Sequence, residues 1–354
     1  MKHSIKHNIQ FPLSLFTILL FMLSHDAYAQ NLTTPEASQK AMVMQRIGLT
    51  DITITYHSPL VKGRTVWGAL VPYNEVWRAG ANENTTITFT TNVRVEGKQL
   101  SAGTYGLHMI PSATDWTIIF SKNSTSWGSF FYDKNEDALR VDVKPVSVTD
   151  NQEWLNYQFA DLQPGSAIAT LRWEKLKVPF KIETDLKEVV YNSMKNELRG
   201  VNGFSWQAPL QAARYCLNNN IHLDDAMALA DQSIGVQENF SNLMVKSKLL
   251  ALKGETERAD SLSKKALTMA DEAQLNQYGY DLINQKKVKD AIAILQTNVK
   301  RYPASWNVYD SLAEAYDLDG NKKDAIANYK IALAKAPEAQ KSRITGVIKN
   351  LEGK

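Results

Sequence analysis

Side chains that could hold a ligand are concentrated in one stretch, residues 62–84, with the sequence KGRTVWGALVPYNEVWRAGANEN. Aromatic faces next to arginines and amides suit a sugar, or a carboxylate or phosphate held bidentately by arginine. We therefore expect a small polar ligand or glycan to bind here. The candidate binding residues are Arg64, Trp67, Tyr73, Trp77, Arg78, Asn82 and Glu83.

The same stretch has a purely structural interpretation. Aromatic side chains in β-sandwiches usually belong to the core, so Trp67 and Trp77 could plug the end of a sandwich. Arg78 would then pair with Glu83, and the residues between them would only form a turn. A third interpretation turns the two tryptophans toward the second half of the chain as a docking surface.

The spacing of histidines and carboxylates identifies no catalytic or metal site. His57, Glu83 and His108 could meet as metal ligands, but no HxH, HExxH or CxxC spacing is present. Ser58 cannot use His57 as its base, because adjacent residues of a strand point to opposite faces. We therefore predict no metal, no cofactor and no catalytic residue.

The competing hypothesis is an envelope hydrolase, in which Arg78 orients an anionic substrate and Glu83 acts as general acid or base. It requires Arg78, Glu83 and either His57 or His108 to line one open cleft.

The polar loop at residues 123–128 is better interpreted as a lid or an ordinary turn than as a binding site.

Up to about residue 183, the pattern of apolar residues that position this stretch has a period of two. In residues 51–56, 86–95 and 139–144, apolar side chains alternate with polar ones, which is typical of half-buried strands. Further strands are expected over residues 104–110, 116–121, 154–159, 167–173 and 178–183. Short strands joined by tight turns, with no interleaved helices, predict an antiparallel β-sandwich.

The period changes to that of helices after residue 183. Asp185 with Glu188 resembles a capping box, and apolar residues then recur every three or four positions. Asp290-Ala291-Ile292 recurs as Asp324-Ala325-Ile326, a spacing of 34 residues that is the period of tetratricopeptide repeats. Weaker copies at residues 225–226 and 258–259 predict four helix pairs, with an ordinary helical bundle as the alternative.

An array of such pairs presents a curved groove to an extended peptide or a partner helix. First helices line the groove in tetratricopeptide proteins, so we expect an unknown protein or peptide partner there. A solvated helix face is the alternative interpretation for each residue. The candidate groove residues are Asn276, Tyr280, Asn284, Asn307, Asp310 and Glu314, with Asp317 as a further candidate.

Several motifs of the first half resemble the bacterial domain-of-unknown-function family 2911. They include Ser58-Pro59, Lys62-Gly63-Arg64, Trp67-Gly68, residues 70–73, 76–78 and 80–83, and residues 102–105. The resemblance covers roughly residues 30–146 and implies a modular exported protein without an assigned chemistry. The chain departs from the family pattern at His57, Ala79 and His108, which weakens a catalytic role for either histidine.

The amino terminus predicts export. Lys2 and Lys6 precede an uncharged apolar run at residues 11–23, and Ala27-Tyr28-Ala29 supplies the small residues that a signal peptidase reads. Cleavage near Ala29 would release the mature chain to the periplasm or the medium.

No later segment is apolar enough for a membrane span. Cys216 is the only cysteine, so no intramolecular disulfide can form.

Charge gives no reason to expect nucleic acid as a partner. The chain carries 40 basic and 37 acidic residues, a net charge of +3, without long blocks of one sign.

We expect a signal peptide (1–29), a β-sandwich (30–183), a linking helix (184–203), tetratricopeptide-like repeats (204–338) and a capping helix with a tail (339–354). The function predicted from this organisation is a non-enzymatic binding or scaffold protein.

Overall fold

A computed structural model describes residues 1, 3 and 34–353 of the 354-residue chain. Apart from residues 1 and 3, the expected signal peptide lies outside the described residues. Within the described part, no helix is both long enough and apolar enough to cross a membrane.

Residues 39–183 form two antiparallel sheets. One has six strands in the order β1-β2-β3-β6-β7-β8, and the other has four in the order β5-β4-β10-β9. The strands are β1 (Gln39–Ile47), β2 (Thr50–Ser58), β3 (Thr86–Phe89), β4 (Val93–Val95), β5 (Lys98–Leu100), β6 (Gly103–Ile110), β7 (Trp116–Ser121), β8 (Asp137–Val143), β9 (Val146–Gln163) and β10 (Ser166–Glu183).

The alternating sequence decides which face of each strand is buried. In β2, Ile52 and Ile54 are buried while Thr53 and Thr55 between them are partly exposed, because successive side chains point to opposite faces. The inner faces meet in one core, where the rings of Phe120 and Phe180 lie 6.4 Å apart. The predicted antiparallel β-sandwich is thereby confirmed.

The last hairpin of the sandwich is longer than the sequence predicts. Residues 154–159, 167–173 and 178–183 were expected to be three separate strands, but they belong to the two 18-residue strands β9 and β10. Register shifts near Glu174 bend the hairpin. These irregularities interrupt the alternation, and they explain why one strand looks like two in the sequence.

Ten α-helices follow the sandwich. They are α1 (Leu186–Glu197), α2 (Gln207–Asn219), α3 (Leu223–Val236), α4 (Phe240–Leu252), α5 (Thr256–Met269), α6 (Glu272–Asn284), α7 (Val288–Arg301), α8 (Trp306–Leu318), α9 (Lys322–Lys335) and α10 (Glu338–Glu352). Side chains cap several of these helices. Asp185 accepts a hydrogen bond from the backbone of Glu188, and Asn239 and Asp271 form capping boxes.

The helices pack as consecutive pairs, α2 with α3, α4 with α5, α6 with α7 and α8 with α9. Small residues permit the close approach: a Cβ on Gly279 would lie 2.8 Å from Leu295 Cδ2 in the facing helix. Ala291 and Ala325, 34 residues apart, are both fully buried. Helix α10 packs on α9 and buries Ile344 and Ile348, which closes the last pair.

Candidate functional site

A turn at residues 78–85 organises the candidate site. Ala79 and Asn82 have positive φ angles of 52° and 54°, a conformation that costs an ordinary residue on the order of 1–2 kcal/mol. The Ala79 carbonyl accepts hydrogen bonds from Thr85 Oγ1 at 3.2 Å and from the Tyr157 hydroxyl at 2.9 Å. The sandwich core therefore fixes this turn and the side chains that it carries.

Trp67 and Trp77 pack inside the sandwich. The Trp67 ring lies edge-on to Trp116 at 4.9 Å and to Trp173 at 5.7 Å, while Trp77 stacks on Trp173 at 5.9 Å. The structure therefore favours the interpretation in which both tryptophans plug the sandwich. The interpretation in which they face the helical half is wrong, because their ring contacts are made within the sandwich.

A cleft of about 440 Å³ opens beside this tryptophan cluster. Of the seven candidate binding residues, Arg64, Trp77, Arg78 and Asn82 contribute to its wall. Lys62 and Trp173 line it as well. Among the described residues that line this basic cleft, three are basic and none is acidic.

The basic side chains of the cleft are not neutralised within the described part of the chain. Arg64 donates only to backbone carbonyls, from Nε to Val61 at 3.0 Å and from Nη2 to Leu60 at 2.5 Å. No carboxylate of a described residue forms an ion pair with Lys62, Arg64 or Arg78. The cleft therefore favours an anion.

Arg78 extends from the cleft toward the loop after β7. Its guanidinium carbon lies 5.6 Å from the centre of the Trp127 ring, within range of a cation–π contact. Its buried Nε has no hydrogen-bond partner among the described residues, and burial lowers the pKa of Arg78. The alternative pairing of Arg78 with Glu83 is not formed.

Glu83 and Tyr73 lie outside the cleft wall. Glu83 Oε2 is 3.2 Å from Nδ1 of His57. Tyr73 is 40% exposed and covers Gly68, where a Cβ would lie 2.7 Å from Tyr73 Cε2. The structure thus brings together only part of the candidate set, and it places Glu83 in a second cluster.

That second cluster consists of Glu36, His57 and Glu83. Nε2 of His57 lies 3.3 Å from Glu36 Oε2, and Nδ1 lies 3.2 Å from Glu83 Oε2. Asn82 Nδ2 donates to Glu36 Oε2 at 2.9 Å. This amide lies at the edge of the basic cleft, so the two sites are neighbours.

His108 lies under the loop that joins β7 to β8. Its Nδ1 is 3.1 Å from Ser129 Oγ, and its ring lies 5.4 Å from that of Tyr132. Burial lowers the pKa of His108 to about 4, although the negative charge of Asp137 opposes the shift. The loop that includes the polar residues 123–128 therefore covers a neutral histidine.

The arrangement required for a hydrolase is not formed. The wall of the basic cleft includes Arg78 but none of Glu83, His57 and His108. His57 contacts the two glutamates, and His108 is covered by its loop. The prediction that no residue is catalytic stays a prediction, since this geometry does not test it.

Sequence reasoning missed three residues of these sites. Lys62 lies in the stretch, but its spacing alone does not mark it as a ligand-binding residue, and Trp173 comes from a strand far along the chain. Glu36 precedes the first strand by three residues, where no periodic pattern marks it. Only the hairpin register, which pairs Gln39 with Ser58, shows that Glu36 approaches His57.

Three of the candidate groove residues, Tyr280, Asp310 and Glu314, form links between successive helix pairs. The Tyr280 hydroxyl donates to Glu314 Oε2 at 2.7 Å, and Arg343 Nη2 donates to Asp310 Oδ2 at 2.8 Å. Asn276 and Asp310 lie 34 residues apart, and each has a buried Oδ1 without a partner among the described residues. Asn284 is exposed and Asn307 is partly exposed.

Comparison with protein families supports the resemblance seen in the first half. The family model described as "Protein of unknown function (DUF2911)" matches residues 38–182, which covers the sandwich almost to the end of its last strand. No curated protein sequence matches the chain.

Solved structures with similarity to this chain include tetratricopeptide (TPR) proteins. The crystal structure of MamA shares 15% identity over 45% of this chain and 92% of its own, with a TM-score of 0.30. YrrB, described as a TPR protein with an unusual peptide-binding site, shares 16% identity over 46% of this chain and 85% of its own, with a TM-score of 0.29. The carboxyl-terminal part of a TPR repeat-containing protein from Cytophaga hutchinsonii shares 16% identity over 43% of this chain and 59% of its own, with a TM-score of 0.30.

Proposed function

We propose that this chain, whose residues 38–182 match the DUF2911 family model, is an exported binding protein. Its sandwich holds a small anionic ligand in the basic cleft, and its helical pairs hold a protein partner. The observation that carries the proposal is the composition of the cleft wall, which among the described residues includes Lys62, Arg64 and Arg78 but no acidic residue.

The ligand chemistry follows from the wall. Arginine presents a planar fork that matches the oxygens of a carboxylate or phosphate, and lysine adds a point charge. Trp77 is partly exposed on this wall and supplies an aromatic surface for a sugar ring, whereas Trp173 is 1% exposed and supports Trp77 from inside the sandwich. The shared chemistry is therefore an oxyanion on a small polar molecule, such as an acidic sugar or a phosphate.

Isothermal titration calorimetry tests this half of the proposal. Inorganic phosphate and D-glucuronate are titrated separately into the full chain, in the presence of EDTA to remove metal ions. We expect at least one of them to bind, and the Lys62→Ala/Arg64→Ala variant to lose about 10-fold or more in affinity. The control Arg94→Ala changes an exposed basic residue of β4 that does not line the cleft, and this variant should bind as the wild type does.

Either of two results would reject the anion cleft. One is that neither probe binds the wild-type chain. The other is that the double variant and the Arg94→Ala control bind with equal affinity.

For the helical half, the support is the row of polar side chains on α6 and α8. Asn276 and Asp310 occupy equivalent positions of successive pairs, and Asn284 is exposed at the end of α6. A photo-crosslinking residue at Asn284 of the full chain should capture one envelope protein. The same residue placed at the exposed Lys330 of α9 should not capture it, and equal capture at both positions would argue against a groove.

Export is the remaining part of the proposal. It rests on the signal-like pattern of residues 1–29. Amino-terminal sequencing of the protein from its host should give a chain that begins at Gln30. A chain recovered from the cytoplasm with residues 1–29 intact would contradict export.

A further inference from the structure

We propose that Glu36, His57 and Glu83 form a binding site for one divalent transition-metal cation, with Zn²⁺ as the probe. The three residues come from separate segments, namely the residues before β1, the end of β2 and the turn at residues 78–85. Each offers one ligand atom, and these atoms all lie within 4.8 Å of one another.

His57 is the observation that distinguishes this cluster from ordinary surface charges. Its exposed fraction is 7%, and each of its ring nitrogens faces one carboxylate, Nε2 that of Glu36 at 3.3 Å and Nδ1 that of Glu83 at 3.2 Å. The pair of His222 and Glu188, by contrast, is a more exposed contact with a single carboxylate. A buried imidazole between two carboxylates combines the ligand types that a zinc site uses.

The cluster is close to the dimensions of a metal centre. Bonds of about 2.1 Å at tetrahedral angles place ligand atoms about 3.4 Å apart. Glu36 lies 3.3 Å from Nε2 of His57 and Glu83 lies 3.2 Å from Nδ1, so one of the two carboxylates must turn toward the nitrogen that holds the ion. The two carboxylates are 54% and 57% exposed, so their side chains are free to close around an ion.

The surrounding chain positions Glu36 and His57 next to each other. Asn82, at a φ of 54°, donates to Glu36 Oε2 at 2.9 Å and to the Ser38 carbonyl at 3.3 Å. The His57 carbonyl accepts from the backbone of Ala81 at 3.2 Å. A hydrogen-bonded ligand carboxylate is a usual feature of metal sites, where outer contacts orient the ligands.

The donor set selects the class of cation. One imidazole nitrogen and two carboxylate oxygens suit a borderline cation such as Zn²⁺ better than Mg²⁺ or Ca²⁺, which prefer oxygen ligands alone. With three protein ligands, a tetrahedral ion keeps one open position.

The test is titration of Zn²⁺ into the metal-free full chain by calorimetry, with Co²⁺ absorption as a second readout of coordination. We expect one ion per chain. Glu36→Gln and Glu83→Gln should each weaken binding by about 10–100-fold and remove the visible bands of tetrahedral Co²⁺. Both glutamates are exposed, so these variants keep the fold, which circular dichroism verifies.

The pair of His222 and Glu188 provides the matched control. The variant His222→Ala/Glu188→Gln removes a histidine–carboxylate contact from the helical half and should bind Zn²⁺ as the wild type does. The proposal is overturned if the wild type binds no Zn²⁺, if the Glu36 and Glu83 variants retain its affinity, or if only the control variant loses it.

Discussion

The guanidinium of Arg78 lies against the face of Trp127, with its central carbon 5.6 Å from the ring centre. This contact joins the turn at residues 78–85 to the loop after β7, since the backbones of Glu83 and Trp127 also form a bridge. Trp127 is 54% exposed. Its ring is therefore not part of the sandwich core, and removing it tests the contact with Arg78 more than it tests core packing.

The contact between Arg78 and Trp127 should be measurable as a coupling. Trp127→Ala should lower the free energy of unfolding of the sandwich by about 0.5–1 kcal/mol, the range of an exposed cation–π contact. A double-mutant cycle with Arg78→Ala, followed by tryptophan fluorescence in urea, isolates that energy. Phe131→Ala changes a residue that is 74% exposed and should show no coupling with Arg78; equal coupling would contradict the assignment.

Gly106 is the point at which the same loop touches the sheet. A Cβ at this position would overlap the carbonyl oxygen of Asn123 and approach His108 Nε2 to 3.3 Å. Gly106→Ala should therefore destabilise the sandwich by about 1–3 kcal/mol, the usual cost of overpacking. Gly346→Ala is the control, because this helical glycine has no neighbour within 4 Å, and alanine there should stabilise the chain by about 0.5–1 kcal/mol.

The stability of the sandwich should depend on pH through His108. Burial lowers the pKa of His108 to about 4 in the folded chain, whereas an unperturbed histidine has a pKa of about 6.5. Between these values the unfolded chain binds a proton that the folded chain does not. Stability should therefore fall by about 3 kcal/mol as the pH decreases from 6.5 to 4.

Urea unfolding at several pH values measures this dependence. His108→Asn keeps a group that can bond Ser129 but removes the titration, so its stability should change less over the same pH range. An identical slope for wild type and variant would show that His108 is not responsible.

In the helical half, Arg343 and Asp310 join α10 to α8. Burial raises the pKa of Asp310, and the hydrogen bond from Arg343 opposes that shift. Arg343→Ala should lower the free energy of unfolding by about 1–3 kcal/mol, because a carboxylate that is 12% exposed loses its donor. Asp310→Asn in the same chain should recover part of the loss, as followed by circular dichroism; no recovery would mean that Arg343 acts through packing.

Local patterns predicted the architecture because they are set by neighbouring residues. Alternation in β2 and the cap of Asp185 on α1 are readable from a few positions, and the 34-residue spacing marks the equivalent residues Ala291 and Ala325. The long β9–β10 hairpin was divided wrongly because its register shifts interrupt the alternation.

The sites were less predictable because they depend on contacts between distant segments. Arg78 and Glu83 are five residues apart, yet the positive φ angles of Ala79 and Asn82 turn them to different neighbours. Glu36 reaches His57 only through the pairing of β1 with β2. The sequence singles out residues 62–84, but it does not show that Arg78 lines the basic cleft while Glu83 contacts His57.

The most direct test of the anion cleft is a crystal of the full chain soaked in selenate, an oxyanion whose selenium is located by anomalous scattering. We predict a strong anomalous peak in the basic cleft, within hydrogen-bonding reach of the Lys62 and Arg64 side chains, and no such peak in the Lys62→Ala/Arg64→Ala variant. Selenate bound elsewhere on the chain while the cleft holds none would contradict it.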